Sequence, residues 1–287
     1  MNISNKANIF PAINNHNSLK IGEPLPHQLP QLRSLWKEAF GDDDAFLDTF
    51  YDTAFSLHRC RCITIEEKVV AVLYWFDCTF HEKPLAYIYA VATAKAYQGQ
   101  GLCHVLMEQT HKYLADTGYI GAILVPANQT LFQFYENMGY KTCCYINEIF
   151  YDTEEFSNDI LSVKNEITQN TLHQLTKKEF SHLRRQFLSK NAILQENENL
   201  DFLETQAQFY FGENFLLTAS KHENVLYGLE LLGDTSAIPQ ILEALECTKG
   251  RFRIPTIGVQ QHKKAFAMYL PLNENIEMPD YFGFAFD

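Results

Sequence analysis

Seven consecutive residues, Gln98, Gly99, Gln100, Gly101, Leu102, Cys103 and His104, carry the clearest chemical signal in the chain. They follow a strand-like run, "LAYIYAVAT", and open a helical one, "GLCHVLMEQTHKYLADTG". A glycine-rich turn that launches a helix presents several backbone N–H groups with no intrahelical acceptor. The helix adds about half a positive charge at that end, and glycine lets an anion approach the bare main chain. The chemistry this predicts is phosphate binding. A P-loop would end in Gly-Lys-Ser/Thr, whereas Gly101 precedes Leu102 and Cys103. A dinucleotide fingerprint would put glycine or alanine where His104 stands, and an acidic residue at the tip of the next strand; "YIGAILVPA" has none.

A second cluster lies in "ANQTLFQFYENMGYK". Asn128 precedes a helical pattern with Leu131, Phe134, Tyr135 and Met138 at i, i+3, i+4 and i+7, and Gly139 closes it. Tyr135 could transfer a proton, although an aromatic on the apolar face of a helix is ordinarily a core residue. Cys103, at a helix start, has two readings: a thiol activated by the helix end, or an inert packing group. Cys60 and Cys62 lack zinc-site spacing and read as buried residues on one strand face. No metal is expected.

The elements that must position these groups follow from periodicity. "LPQLRSLWKEAF" has apolar residues at helical spacing, and the acidic residues of "GDDDAFLDTFYDTAF" suit the start of a second helix. "RCRCITIEE" and "KVVAVLYWFDCTF" read as an antiparallel hairpin, "PLAYIYAVAT" as a third strand, "YIGAILVPA" as a buried strand and "YKTCCYINEIFY" as the last strand of the block. After residue 157 the texture turns polar. A connector carrying its own strand is expected there, then helical segments over 177–210. Two strands, the helix "SAIPQILEALEC" and two more strands follow. This order partly echoes the first block, as a worn duplication would. The expected organisation is a loose leader over 1–28, a first domain over 29–158 and a second over 159–287.

The chain has 287 residues and a formal net charge of −12. That charge disfavours nucleic acid as a partner. No apolar run is long enough to span a membrane, and the start has no cationic–apolar leader pattern. Seven scattered cysteines do not make a disulfide framework, so a reducing, cytoplasmic setting is expected.

Gln98-x-x-Gly101-x-Cys103 resembles the Gln/Arg-x-x-Gly-x-Gly/Ala signature of the GNAT superfamily of N-acetyltransferases. "ANQTLFQFYENMGYK" is similar to the family's second landmark, an Asn followed by a helix ending Phe-Tyr-x-x-x-Gly-Tyr/Phe. The resemblance covers about residues 29–150, and Cys103 is one departure from it. It implies an α/β fold with a mixed, mostly antiparallel sheet flanked by helices and splayed after the fourth strand. It implies acetyl-CoA as cofactor: the amides of residues 98–104 on the pyrophosphate, Val91, Ala92 and Thr93 along the pantetheine arm, and Asn128 near its far end. An amine would attack the thioester directly, a main-chain N–H of the fourth strand would stabilise the oxyanion, and Tyr135 would return the proton to the thiolate. The fourth strand lacks the glutamate that many relatives use as base. Asp77, His81 and Glu82 are candidates at the end of the preceding strand.

The layout also resembles acetyltransferases of the enhanced intracellular survival type, in which a degenerate GNAT-like domain follows and the C-terminal carboxylate reaches the active site. That resemblance implies a smaller second domain without a second cofactor, and makes Asp287 a catalytic candidate. The second half would wall the acceptor pocket or form a homo-oligomer contact, with Trp75, Phe76, Tyr87 and Tyr89 as further pocket candidates. The acceptor would be a small-molecule or peptide primary amine. A non-catalytic acyl-CoA-binding or scaffold protein is the alternative, favoured by the missing glutamate.

Overall fold

The computed structural model describes residues 19–154, 172–256, 264–273 and 277–286. One mixed sheet runs through them. Strands β1 (Leu19–Gly22), β2 (Cys60–Ile65), β3 (Lys68–Phe80), β4 (Lys83–Thr93), β5 (Gly121–Leu124) and β6 (Lys141–Asp152) come from the first half. The second half adds β7 (His173–Leu175), β8 (Leu194–Gln195), β9 (Gln208–Phe211), β10 (Phe215–His222), β11 (Val225–Gly233), β12 (Lys249–Pro255) and β13 (Lys264–Pro271). Their order across the sheet is β1-β2-β3-β4-β5-β13-β6-β12-β11-β10-β9-β7, with β8 attached to β3. Among the described strands, the β4–β5 and β11–β12 pairs are parallel and the others antiparallel.

The order carries an internal symmetry. β2, β3 and β4 are antiparallel and followed by a parallel β5; β9, β10 and β11 are antiparallel and followed by a parallel β12. The two runs meet at the β13–β6 pair, where each half's last strand lies against the other half. β13 pairs with β5 (Met268 opposite Leu124), and β6 pairs with β12 (Phe252 opposite Ile149). This is the echo that the order of elements suggests.

Helices α1 (Leu29–Phe40), α2 (Asp44–Thr53), α3 (Leu102–Asp116), α4 (Gln129–Glu136), α5 (Lys177–Phe187), α6 (Glu198–Glu204) and α7 (Ile238–Ala244) cover the sheet. α1 ends at Gly41, whose φ of +82° suits only glycine readily, and α2 starts from Asp43, whose side chain accepts from the Phe46 N–H at 2.8 Å. α1 and α2 bury Leu32, Trp36 and Phe50 on one sheet face, against Tyr74, Phe76 and Tyr87. α3 and α4 bury Leu102, Leu106 and Tyr135 on the other, against Ala86, Ile88 and Leu124. Each large side chain so buried stabilises the fold by roughly 1.5–3 kcal/mol.

Three expectations are corrected. The leader is not loose throughout, because Leu19–Gly22 forms an edge strand on β2 and places Leu19 and Ile21 against the α3 side of the core. The stretch 177–210 is not helical throughout. Leu194–Gln195 pairs with β3, and the aromatic-rich "QFYF" of β9 pairs with β10. The hairpin turns at Glu66–Glu67 and His81–Glu82 have φ between +48° and +65°, so His81 and Glu82 serve as turn residues.

The C-terminal segment is firmly held. Tyr281, Phe282 and Phe284 are buried. Gln195, fully buried, donates to the Phe284 carbonyl and accepts from the Phe284 N–H, both at 2.8 Å. Arg184 and Glu230 form a buried two-pronged ion pair at 2.7 Å, and the Tyr281 hydroxyl donates to Glu230 at 2.7 Å. Gly283 passes so close to this pair that a Cβ there would collide with the Glu230 carboxylate.

Candidate functional site

β4 and β5 pair only at Ala86–Ala122 and Tyr87–Ile123. β5 stops at Leu124, while β4 continues to Thr93. Beyond Tyr87, the edge of β4 that faced β5 therefore has no described strand beside it, and its main-chain groups are open to a ligand. A cavity of about 710 Å³ occupies the splay. Leu124, Phe132 and Tyr135 line it from the α3–α4 side, and Trp36, Tyr87, Tyr89 and Phe286 from the α1–α2 side. It thus passes through the sheet, joining the two faces.

At the centre β4 is irregular. Val72 pairs with Ala92 and Tyr74 with Tyr89, so Leu73 faces two residues, Ala90 and Val91. Ala90 has φ +48°, a strained conformation for a residue with a Cβ. Such a bulge bends the strand and re-aims its main-chain groups. Sequence reading gave no sign of it, because alanine does not announce a positive φ.

The glycine loop adopts the conformation its composition requires. Gly99 and Gly101 have φ of +73° and +78°. A Cβ on Gly99 would meet nothing within 4 Å, so the glycine is needed for conformation, and the space above it is open to an anion. Gly101 is the N-cap of α3 and supplies no side-chain cap, which leaves the first-turn amides of Leu102, Cys103 and His104 without a capping side chain. Gln98 does not point at a ligand; its side chain donates to the Thr93 carbonyl at 3.1 Å and closes the loop. The Gln100 side chain donates to the Ala96 carbonyl at 3.4 Å. Glu38 of α1 accepts from the Lys95 N–H at 2.7 Å, tying the loop to the rest of the fold. Replacing Gly101 with alanine forces an L residue into the left-handed region, at a cost of about 1–2 kcal/mol. The free loop relaxes away from this shape, so calorimetry should show the Kd for coenzyme A rising about fivefold or more.

Val91 and Asn128 line the cavity, whereas Ala92 and Thr93, like residues 98–104, lie outside its lining. Asn128 caps α4, accepting from the Leu131 N–H at 3.1 Å. Tyr135 reaches the cavity from the buried face of α4 and packs on Tyr140, ring centroids 5.7 Å apart. Burial, with a smaller contribution from Cys103, raises its hydroxyl pKa above the ordinary tyrosine value, so it keeps its proton. Burial likewise pushes the Cys103 thiol up to about 11. Desolvation outweighs the helix end, and the inert reading of Cys103 is the one that fits.

The expected bases are elsewhere. Asp77 accepts from the Tyr119 hydroxyl at 2.6 Å and faces Arg59 at 3.5 Å, and neither it, His81 nor Glu82 lines the cavity. Of the aromatic candidates, Tyr87 and Tyr89 line it, while Trp75 and Phe76 are core residues outside the lining. Asp287 lies outside the described residues; Phe286, before it, is on the cavity wall, and its N–H donates to the Tyr87 hydroxyl at 3.4 Å. The carboxylate that sequence reading missed is Asp42. In "GDDD" it resembles one more helix-start acid, but Asp43 takes the cap, and Asp42 lines the cavity with its Oδ2 accepting from Trp36 Nε1 at 2.7 Å. Among the described residues no cluster of His, Cys, Asp and Glu could hold a metal ion, and no helix is long and apolar enough to cross a membrane.

The splayed sheet, the bulged strand and the glycine turn at a helix start define a GNAT-type acyltransferase fold. Residues 25–143 match the family model described as an acetyltransferase (GNAT) domain. Similar solved structures include a GCN5-related N-acetyltransferase from Kribbella flavida, with TM-score 0.65 at 15% identity over 88% of this chain and 70% of that one. A probable N-acyltransferase from Enterococcus faecalis V583 gives 0.67 at 13% identity, over 89% and 73%. Eis1 from Mycobacterium abscessus gives 0.65 at 8% identity, over 89% and 74%. At these identities the structures establish the fold. No curated protein matches the sequence.

Proposed function

We propose that the protein is an acetyl-CoA-dependent N-acetyltransferase acting on a primary amine. The observation that carries this reading is the cavity passing through the splayed sheet, with Tyr135 on one side and aromatic residues and Asp42 on the other. The residues present fit the cosubstrate. The open edge of β4 from Val91 to Thr93 suits an amide-bearing arm, and the uncapped turn over residues 98–104, with free space above Gly99, suits a pyrophosphate. Asn128, on the cavity lining, is assigned to the far end of that arm. Bound there, acetyl-CoA supplies an activated acetyl thioester.

The chain contributes position and protons. The bulge places Ala90 and Val91 on the cavity lining, where a fixed main-chain N–H dipole would stabilise developing negative charge. Tyr135, held neutral, donates a proton to the departing sulfur. An ammonium acceptor must first lose a proton, and the α-carboxylate of Asp287 is the base we assign, because the clamped tail brings Phe286 to the cavity wall. Residues 29–158 supply the cosubstrate side, and residues 159–287, a second and degenerate GNAT-like unit, supply the tail and part of the acceptor wall. All seven cysteines are free of disulfides, which fits the reducing cytoplasm.

A thiol-release assay with acetyl-CoA and a panel of primary amines tests the reading, alongside calorimetry with coenzyme A. Binding of coenzyme A without release against any amine would instead favour a non-catalytic acyl-CoA-binding protein. Removing the final three residues should lower kcat by about 10²-fold or more with coenzyme A affinity kept. Extending the chain by Gly-Ser, which keeps the wall and moves the carboxylate, should do the same. Wild-type turnover in the extended, folded chain would remove Asp287 from the mechanism.

A further inference from the structure

We infer that the acceptor is an amino carboxylic acid with a large apolar side chain, a reading that rests on the acyl-transfer function above. On the α1–α2 side, the cavity is an aromatic box. Trp36 and Tyr89 lie 5.7 Å apart between ring centroids, Tyr87 and Phe286 5.9 Å, and Tyr89 and Phe286 6.1 Å. Such a box takes an apolar body at little conformational cost.

Charged side chains of both signs enter it. Asp42 is half-buried and held by Trp36 Nε1 through one oxygen, and a carboxylate has lone pairs for further donors. Arg253, also half-buried, lines the same cavity with its guanidinium 4.7 Å from the Phe266 ring centroid. Lys264 lines it too, with its ammonium 3.5 Å from Glu148. Among the described lining residues there is one acid against two cations. The described lining therefore carries no excess of negative charge, whatever Asp287, assigned above as the base, adds to it. A polyamine would meet Arg253 and Lys264 along this lining and be repelled by them.

A molecule with one ammonium and one carboxylate on an apolar body meets all three features. Arg253 takes the carboxylate, whose planar geometry matches a guanidinium. The aromatic box takes the side chain, and Asp42 receives the ammonium before it is deprotonated. Arg253 is thereby a specificity-determining residue.

Calorimetry on the full chain saturated with coenzyme A tests this, using L-phenylalanine, L-phenylalaninamide, phenethylamine and spermidine. Phenylalanine should bind about tenfold or more tightly than its amide, and spermidine most weakly. In Arg253→Met, with an unchanged melting curve, phenylalanine should fall to the affinity of the amide, and the amide should stay within about twofold of its wild-type value. Equal affinity of acid and amide in the wild type, tighter binding of spermidine, or equal losses for acid and amide in the variant would each overturn the inference. The same four compounds are run for thiol release. Turnover of the amide or of spermidine but not of phenylalanine would sink this inference and leave the acyl-transfer reading standing. Absence of any heat with coenzyme A would bring down both.

Discussion

Tyr135→Phe is expected to lower kcat for acetyl transfer by about 10²- to 10⁴-fold, with the Kd for coenzyme A within about twofold of the wild-type value. The substitution removes one oxygen and keeps the ring. That ring packs edge-on against Phe134, at 5.2 Å between centroids, and against Tyr140, at 5.7 Å. The fold and the cavity wall therefore survive, and the loss isolates the hydroxyl. The sign of the pH effect follows from the raised pKa. A hydroxyl whose pKa is raised by burial stays protonated above the ordinary tyrosine value of about 10. Loss of this proton should therefore not lower the wild-type kcat between about pH 8 and 10. A fall in that range that vanishes in Tyr135→Phe would contradict the assignment. Turnover of the variant at the wild-type level would make Tyr135 a wall residue only.

Glu230→Gln is expected to destabilise the protein by about 3–5 kcal/mol, read as a lower urea midpoint at unchanged slope. Arg184 and Glu230 are both almost wholly removed from solvent, at 3% and 1% exposure, so the variant leaves a guanidinium buried without its counter-charge. The effect should reach the candidate site as well. Tyr281 is bonded to Glu230, the Arg184 guanidinium lies 4.4 Å from the Phe284 ring centroid, and Phe286 on the cavity wall is two residues further on. Turnover should therefore drop in the variant even where it remains folded. Replacing both partners, Arg184→Met with Glu230→Met, should return much of the lost stability, because no charge is then left unpaired. A double variant as unstable as the single one would show that the loss comes from packing instead.

The parts of the fold that were legible in the sequence are those set by local pattern. The turn at Gly99 and Gly101, the helix carrying Tyr135 and its stop at Gly139 each need a particular residue type at a particular spacing, and their backbone angles agree. Features set by distant partners were not legible. Ala90 takes a positive φ because two residues of β4 must face Leu73, and nothing in "YIYAVAT" marks that strain. Asp42 and Asp43 look alike in sequence, and only the course of the chain after Gly41 sends one to a helix cap and the other to the cavity. Gln195 sits in a polar stretch expected to be helical, yet it lies in a short strand and is fully buried, because the tail 89 residues later supplies its partners.

The insertion of β13 between β5 and β6 has a consequence for how the molecule is made. Synthesis delivers β5 and β6 long before the strand that must lie between them. Until β13 has left the ribosome, the nascent first half carries an unfilled slot with two exposed strand edges, a surface prone to wrong pairing. Closure joins segments more than a hundred residues apart, and such distant contacts form slowly. Newly made chains should therefore lean on chaperones until that strand emerges, and the cavity in the splayed sheet is completed only once it has docked.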